Sequence, residues 1–416
     1  MATNYKARIA MSTTTATRDA CDLDLRDPAF IDDPYPTYRS LRERAPILWS
    51  ERHRSWIVTT YEAALAFFAE PKLTADRAAA AKFERERPAK PQRTLASEPP
   101  LHTTVRGLLN RSLNPAAAAI AKRIPEMVDE LLGRMQDAVE SFLRDLDVSG
   151  ELDLIDDFAY PLPIGVIAEM FDVPEEDRSQ FQQWSHDIAR SQDRFYARRG
   201  GAGSYDRFHA YCAELVVKRR RRPGDDLVSR LLAAEDEGER FTDEEVVLMC
   251  STLLFAGHET TVNLVANGVL ALLRHPEQLE RCRDEPELAE TAIEEFLRYD
   301  SPAQLLGRAA TESFTFLGQK IEKGEAIVAL LGSANRDPAK FEEPDVLDVG
   351  RRPNPHVSFG RGHHFCPGAL LSRQEARIAV PALLRYFPRL RLADAPPVWR
   401  QTAVLRGLES FPVRVD

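Results

Sequence analysis

From Asp243 to Leu273 the chain is apolar at most positions for about thirty residues, with Thr242 just before the run and Glu245 three residues further on. Thr followed by Glu at that spacing is a capping box and marks a helix start. A helix of this length spans a whole domain. Being apolar almost all round, it has to be buried on nearly every side. His258, Glu259, Asn263 and Asn267 interrupt it, so it is not a lipid-spanning segment. The chain must therefore wrap a large core around one central helix, and 416 residues with 44% hydrophobic content are enough to do so.

The flanking patterns agree. Helical spacing of apolar residues is expected at Pro34–Arg44, Tyr61–Phe68, Arg106–Leu113, Ile124–Leu143, 161–170, 175–190, 204–221 and 225–234. Beyond the central run it is expected at Glu277–Glu285, Glu290–Arg298 and Ala369–Tyr386. Strands are expected at Trp56–Thr59, within Arg308–Ile321 and at Ala326–Leu331, with turns at Gly318 and Gly324. Residues 76–100 and 333–358 read as irregular. No repeat and no Ser/Gly linker divides the chain. The expectation is one mainly α domain with small β-sheets over residues 27–416, preceded by a polar lead-in over 1–26.

The formal charge of −10 gives no general pull toward nucleic acid or anionic membrane. The basic run Lys218–Arg222 reads as a solvated helix end. Cys21, Cys212, Cys250, Cys282 and Cys366 are odd in number and contain no Cys-x-x-Cys pair, which argues against a disulfide framework or a structural zinc cluster. The N-terminal stretch has no continuous apolar segment, Met11 is an alternative start, and the expected location is the cytoplasm.

One cysteine stands apart. Phe359-Gly360-Arg361-Gly362-His363-His364-Phe365-Cys366-Pro367-Gly368 places a thiol just ahead of a helix, where the helix dipole and free N–H groups favour a thiolate. Three glycines let the backbone approach something flat or bulky. Zinc held by His363, His364 and Cys366 is the competing reading, but it leaves the glycines without a purpose. The segment resembles the haem-binding pattern F-G-x-G-x-H-x-C-x-G of the cytochrome P450 superfamily at every fixed position: Phe359, Gly360, Gly362, His364, Cys366 and Gly368. The resemblance implies the P450 fold, heme b (iron protoporphyrin IX) as cofactor, Cys366 as iron ligand, Phe359 packed near the sulfur and His364 near a propionate.

Within the central helix, Ala256-Gly257-His258-Glu259-Thr260 matches the same family's A/G-G-x-D/E-T pattern. Glu259 and Thr260 are costly in a core unless a polar process uses them, and Thr260 is placed to bond back to the carbonyl of Ala256. A notch filled by structural water is the plain alternative. The resemblance gives Thr260 the role of holding dioxygen and water, Glu259 that of a proton route, and Ala256 with Gly257 a place beside the haem face. Glu295-x-x-Arg298 matches the E-x-x-R motif, with Arg351 as the expected third member and Arg352 the fallback; Asn354 and His356 agree with the pattern. His102 and Arg106, four apart, join Arg308 and His364 as expected propionate partners.

The resemblance covers residues 27–414 and implies a monooxygenase that uses molecular oxygen. Electrons would come from ferredoxin and an NAD(P)H-dependent ferredoxin reductase, with Arg361, Arg373 and Arg377 meeting an acidic carrier. A monomer is expected. Segments 82–97, 181–190, Leu253–Thr260, Ala303–Leu306 and Ala403–Val404 are expected to line the pocket, with Gln304 a possible donor to substrate. A hydrophobic substrate follows: a polyketide, macrolide, terpenoid or fatty acid. Epoxidation, ring closure or coupling are alternatives to hydroxylation. A peroxide-dependent enzyme and a haem-binding sensor are disfavoured by the Glu259–Thr260 pair.

Overall fold

The computed structural model describes residues 19–76, 93–144, 151–192 and 202–415. The central helix runs Asp243–Arg274, and its capping box is complete: Thr242 Oγ1 accepts from Glu245 N–H at 3.2 Å, and Glu245 returns a carboxylate oxygen to Thr242 N–H at 2.9 Å. Arg93 clamps the same glutamate at 2.7 and 2.8 Å, and Arg220 pairs with Asp243 at 2.8 Å, so the start of this helix is pinned from two sides. Arg219 is buried against Asp172 and Asp226. The basic run expected to be a solvated helix end is thus partly built into the fold.

Around the central helix lie helices at Pro161–Met170, Glu175–Gln192, Ala202–Arg221, Leu227–Ala233, Ala289–Tyr299 and Ala369–Tyr386, close to the expected bounds. The segment expected to be helical from Arg106 to Leu113 is longer, Leu101–Ile120, and continues through Pro115. Its apolar stripe explains the extension: Val105, Leu108, Leu109, Leu113, Ala116, Ala117 and Ile120 are all buried, and this packing outweighs the one helical hydrogen bond that the proline forfeits. Close packing elsewhere depends on missing side chains. A Cβ at Gly268 would sit 2.4 Å from Phe296, so the central helix meets helix Ala289–Tyr299 at glycine distance.

The largest sheet has six strands: β1 (Ala20–Cys21), β2 (Ile47–Ser50), β3 (Ser55–Val58), β4 (Leu73–Thr74), β5 (Leu305–Ala310) and β6 (Ala326–Leu330). Their spatial order is β1-β2-β3-β6-β5-β4. β6 runs parallel to β3, with Ile327 opposite Trp56, and antiparallel to β5, with Val328 opposite Gly307. β1 lies in the stretch expected to be a lead-in, yet it pairs with β2, and Cys21, Leu23 and Leu25 are buried.

Near the C-terminus, β7 (Val398–Trp399) and β8 (Leu408–Ser410) form a hairpin against the central helix, and Pro412–Arg414 pairs with Glu151–Asp153. The main core gathers round the central helix, and a second lies between the sheet and helix Tyr61–Ala69. The cysteine loop bridges the two: Phe359 packs on the first, while a Cβ at Gly360 would meet Phe68 and Leu306 beside the second. Among the described residues, no helix is long and apolar enough to cross a membrane.

Candidate active site

The cysteine loop turns through Gly360 and Gly362, both at positive φ (70° and 74°), a region that side chains other than glycine rarely enter. Cys366 N–H bonds to Phe359 O at 3.0 Å and closes the loop. Burial pushes the Cys366 thiol above its ordinary range. The N–H of Gly368, the charges of Arg106 and Arg373 and the N–H of Ala369 pull the other way, toward the anion. A sulfur so placed is prepared for a positively charged partner. Arg373 lies over the Phe359 ring, 4.5 Å from its centre.

The four expected carboxylate partners come from three separate elements. His102 and Arg106 sit on helix Leu101–Ile120, Arg308 on β5 and His364 in the cysteine loop. The His102 and His364 rings are 4.6 Å apart. Arg308 is buried above the rings of Phe67 and Phe68 and donates to both of their carbonyls at 3.3 Å. Arg106 donates to Phe365 O at 2.8 Å. Burial, then the neighbouring His364, His363 and Arg106, push His102 down to about 4. Burial also lowers His364 and both arginines. So much suppressed positive character in one place suits a ligand carrying carboxylates.

Glu98, which sequence reasoning passed over, supplies one carboxylate. It lies 2.9 Å from His363 Nε2 and 3.3 Å from His364 Nε2, and it accepts from Ala75 N–H at 2.9 Å. Burial alone would raise its carboxyl; these hydrogen bonds outweigh burial and hold it low.

On the opposite side, Ala256 is exposed and Thr260 partly exposed in a helix whose flanks are buried, so the interior has an open surface there. Thr260 Oγ1 bonds back to Ala256 O at 3.1 Å, as its spacing predicts. A Cβ on Gly257 would come within 2.6 Å of Ile167, so its bare side lets helix Pro161–Met170 pack close to the central helix here. Glu259 is buried and ion-paired with Arg400, which comes from the tail hairpin 141 residues later and which no local signal in the sequence announces. Thr261 donates to Gly257 O at 3.3 Å and to Ser372 Oγ at 3.1 Å.

Leu306 and Phe365 are 40% and 38% exposed, so the surface beside the cysteine loop is partly apolar. Gln304 does not contribute to it. It is buried, Tyr38 OH donates to its carbonyl at 3.0 Å and its amide donates to Ser301 O at 2.9 Å, so the expectation that it faces substrate is corrected. Of the expected pocket segments, residues 82–92 lie outside the described residues.

Beneath the cysteine loop the E-x-x-R pair is buried and complete. Arg298 makes two 2.7 Å bonds to Glu295, Arg351 Nε adds one at 3.2 Å, Asn354 one at 3.1 Å and Asp348 N–H one at 2.9 Å. Arg351, not Arg352, takes the third position. Next to it, Glu294 receives Arg373 at 2.6 and 2.7 Å and His356 at 3.0 Å; burial would raise its carboxyl, but these partners drive it down to about 2. Arg377 reaches Glu290 at 3.3 Å. Arg373 and Arg377 are therefore engaged with acids, whereas Arg361 is exposed.

A prepared thiol on the cysteine loop, a polar notch on the central helix and cations from two further elements together suit a flat group bearing carboxylates. The cytochrome P450 family profile matches residues 37–405. The chain belongs to the cytochrome P450 family. It is a P450 monooxygenase, and the cofactor of the family is haem b. It is 37% identical over 404 residues to the polyketide biosynthesis cytochrome P450 PksS of Bacillus subtilis, covering 93% of this chain and 97% of that one. It is 37% identical over 410 residues to the cytochrome P450 monooxygenase PikC of Streptomyces venezuelae, covering 96% and 95%. A solved structure of P450BioI, in complex with a hexadec-9Z-enoic acid ligated acyl carrier protein, superposes with a TM-score of 0.81 at 37% identity over 93% of this chain and 99% of that one.

Proposed function

We propose that this P450 inserts one oxygen atom from molecular oxygen into a hydrophobic secondary metabolite of the polyketide, macrolide or terpenoid kind. The observation that carries the reading is the open notch at Ala256 and Thr260 with the buried Glu259 beside it: a hydroxyl and a carboxylate in a mostly apolar helix, where burying such groups is costly. The lining supports an apolar substrate, because Leu306 is exposed there and Gln304 is turned into the core. The named roles of PksS in polyketide biosynthesis and of PikC as a monooxygenase point the same way. The acyl chain carried by the P450BioI partner makes a fatty acyl group, free or carrier-bound, the second reading.

In this assignment Cys366 is the iron ligand, with Phe359 and Gly368 shaping the loop about its sulfur. His102, Arg106, Arg308 and His364 hold the propionates, and Ala256 borders the haem face. The bound haem supplies the site where dioxygen is activated, its iron made electron-rich by the thiolate. Thr260 orients dioxygen and water by its hydroxyl. Glu259 passes protons inward, and the apolar walls exclude bulk water from the reacting C–H bond. Overall, substrate, dioxygen, two electrons and two protons give the oxygenated product and water. Electrons come from ferredoxin and its NAD(P)H-dependent reductase, docking near the exposed Arg361. The enzyme acts in the cytoplasm as a monomer, and binds neither membrane nor nucleic acid.

Cys366→Ser tests the assignment. The variant should lose the reduced carbon monoxide spectrum typical of thiolate ligation; an unchanged spectrum would remove Cys366 as ligand. Titrating the ferric enzyme with macrolides, terpenoids and free or carrier-bound fatty acids should shift the spin state for the true substrate class alone.

A further inference from the structure

The tail hairpin touches the central helix at three successive turns of one face. Arg400 meets Glu259, a Cβ at Gly407 would collide with Asn263, and Arg406 O accepts from Asn267 Nδ2 at 3.1 Å. Residues 259, 263 and 267 are four apart, so their side chains stack along a single stripe. All three are buried, at 2%, 0% and 2% exposure.

Buried polar atoms are almost always hydrogen-bonded, and leaving one bare costs about 1–3 kcal/mol. Here four atoms in a row have no hydrogen-bond partner among the described residues: Glu259 Oε2, both amide atoms of Asn263, and Asn267 Oδ1. His258 Nε2 lies 3.7 Å from Glu259 Oε2, too far for a direct bond. A bridging water is the usual resolution of such a gap. Asn263 offers one donor group and one acceptor, which is what a water between two neighbours requires.

The stripe also has a way out. Asn267 leans toward Asp300 O at 3.4 Å, and the Asp300 carboxylate is held by Arg406 Nε and Tyr35 OH, each at 2.7 Å. Asp300 and Tyr35 are partly exposed. From Asn267 to Glu259 the helix rises about 12 Å, a span that a few waters bridge.

We propose that this face of the central helix binds a file of internal water, held by Asn263 and Asn267, that carries protons from the Asp300–Arg406 edge to Glu259. The proposal rests on the assignment of Glu259 as proton donor. Each proton that leaves the Glu259 carboxyl is replaced by one from the adjacent water, and that water is reprotonated along the file from solvent, so no residue is changed over a cycle. Arg400 is a positioning residue: its guanidinium holds one carboxylate oxygen, Oε1, and leaves Oε2 without a hydrogen-bond partner among the described residues. The turn between the hairpin strands also carries Ala403 and Val404, whose backbone meets β5's approach through Gln304 N–H to Val404 O at 2.9 Å. A change in that turn therefore reaches the acid through Arg400.

The test uses haem-loaded enzyme with NADPH, a plant-type ferredoxin and its reductase, and a fatty acid or macrolide that shifts its spin state. Asn263→Leu should keep haem content and spin-state response while lowering product formed per NADPH about tenfold, less than the roughly 10²–10⁴-fold that general acid catalysis contributes because the acid itself is kept, and changing the solvent deuterium isotope effect. Turnover driven by hydrogen peroxide, which brings its own protons, should be unaffected. Asn263→Ser, small enough to leave room for water, should restore most of the coupling. Unchanged coupling and isotope effect in Asn263→Leu, with both altered in Glu259→Gln, would overturn the water file alone. Unchanged values in both variants would overturn the role of Glu259 itself. A crystal structure of the holoenzyme provides a readout independent of turnover: ordered water on the Asn263 amide supports the file, and an amide satisfied by protein atoms refutes it.

Discussion

Two glutamates, both fully inside the protein, are treated in opposite ways. Glu295 receives five hydrogen bonds from Arg298, Arg351, Asn354 and the Asp348 N–H, and both its oxygens are occupied. Glu259 has one cation on one oxygen and no hydrogen-bond partner among the described residues on the other. A carboxylate saturated in this way cannot change its partners without dismantling what surrounds it. One left half-occupied can exchange a proton and keep its place. The first is architecture under the cysteine loop; the second has the capacity for work that a monooxygenase needs.

The sharpest way to break this contrast is the same substitution at both positions. Glu295→Gln removes one half of a buried ion pair and strands Arg298, so it should destabilise the protein by about 3–5 kcal/mol and sharply reduce haem-loaded yield. Glu259→Gln also strands an arginine, Arg400, but one that holds a single oxygen, so it should cost clearly less stability than Glu295→Gln while reducing coupled turnover by about 100-fold. Comparable losses of folded protein in both variants would abolish the distinction. Thr260→Ala should have a smaller effect: haem retained, stability changed by less than about 1 kcal/mol for an exposed hydroxyl, and electrons diverted to peroxide or water, measured as product formed per NAD(P)H.

Glu375 sharpens the comparison from a third side. It is buried in helix Ala369–Tyr386, its Oε2 has no hydrogen-bond partner among the described residues, and burial alone pushes its carboxyl up to about 8. Between the ordinary carboxyl range and pH 8 the folded protein thus holds a proton that the unfolded chain has released. Stability from this group is full at low pH, falls as pH rises through that window and levels off above about 8. Glu375→Gln should remove a slope of at most about 1.4 kcal/mol per pH unit, seen as a stability gain over wild type that grows toward pH 8. A pH-independent difference in melting temperature would show that Glu375 is paired and charged.

What the sequence made legible follows one physical line. The capping box, the Thr260 back-bond and the Glu295–Arg298 pair connect residues three or four apart, and helix geometry alone settles such contacts. The six fixed positions of the cysteine loop are equally local. Arg400 beside Glu259, Glu98 beside His364 and Gln304 beside Tyr38 are joined only by the completed fold, and no periodicity records them. Glu375 is a middle case: it falls on the buried stripe with Ala376, Ala379 and Leu383, where a carboxylate is out of place and signals its own burial.

The grip of Arg406 on the carbonyls of Ile31 and Asp32, 375 and 374 residues earlier, has a consequence for how the molecule is made. The same arginine braces Asp300, and the later strand Pro412–Arg414 closes onto Leu152 through Val413. These contacts can form only once Arg406 has left the ribosome, long after Ile31 and Asp32 are outside it. Helices can form early because their bonds are local, but the hairpin that completes the central helix's polar face is made well after the helix itself. A nascent chain halted before Arg400 would present that face to water, where chaperones and proteases can inspect it.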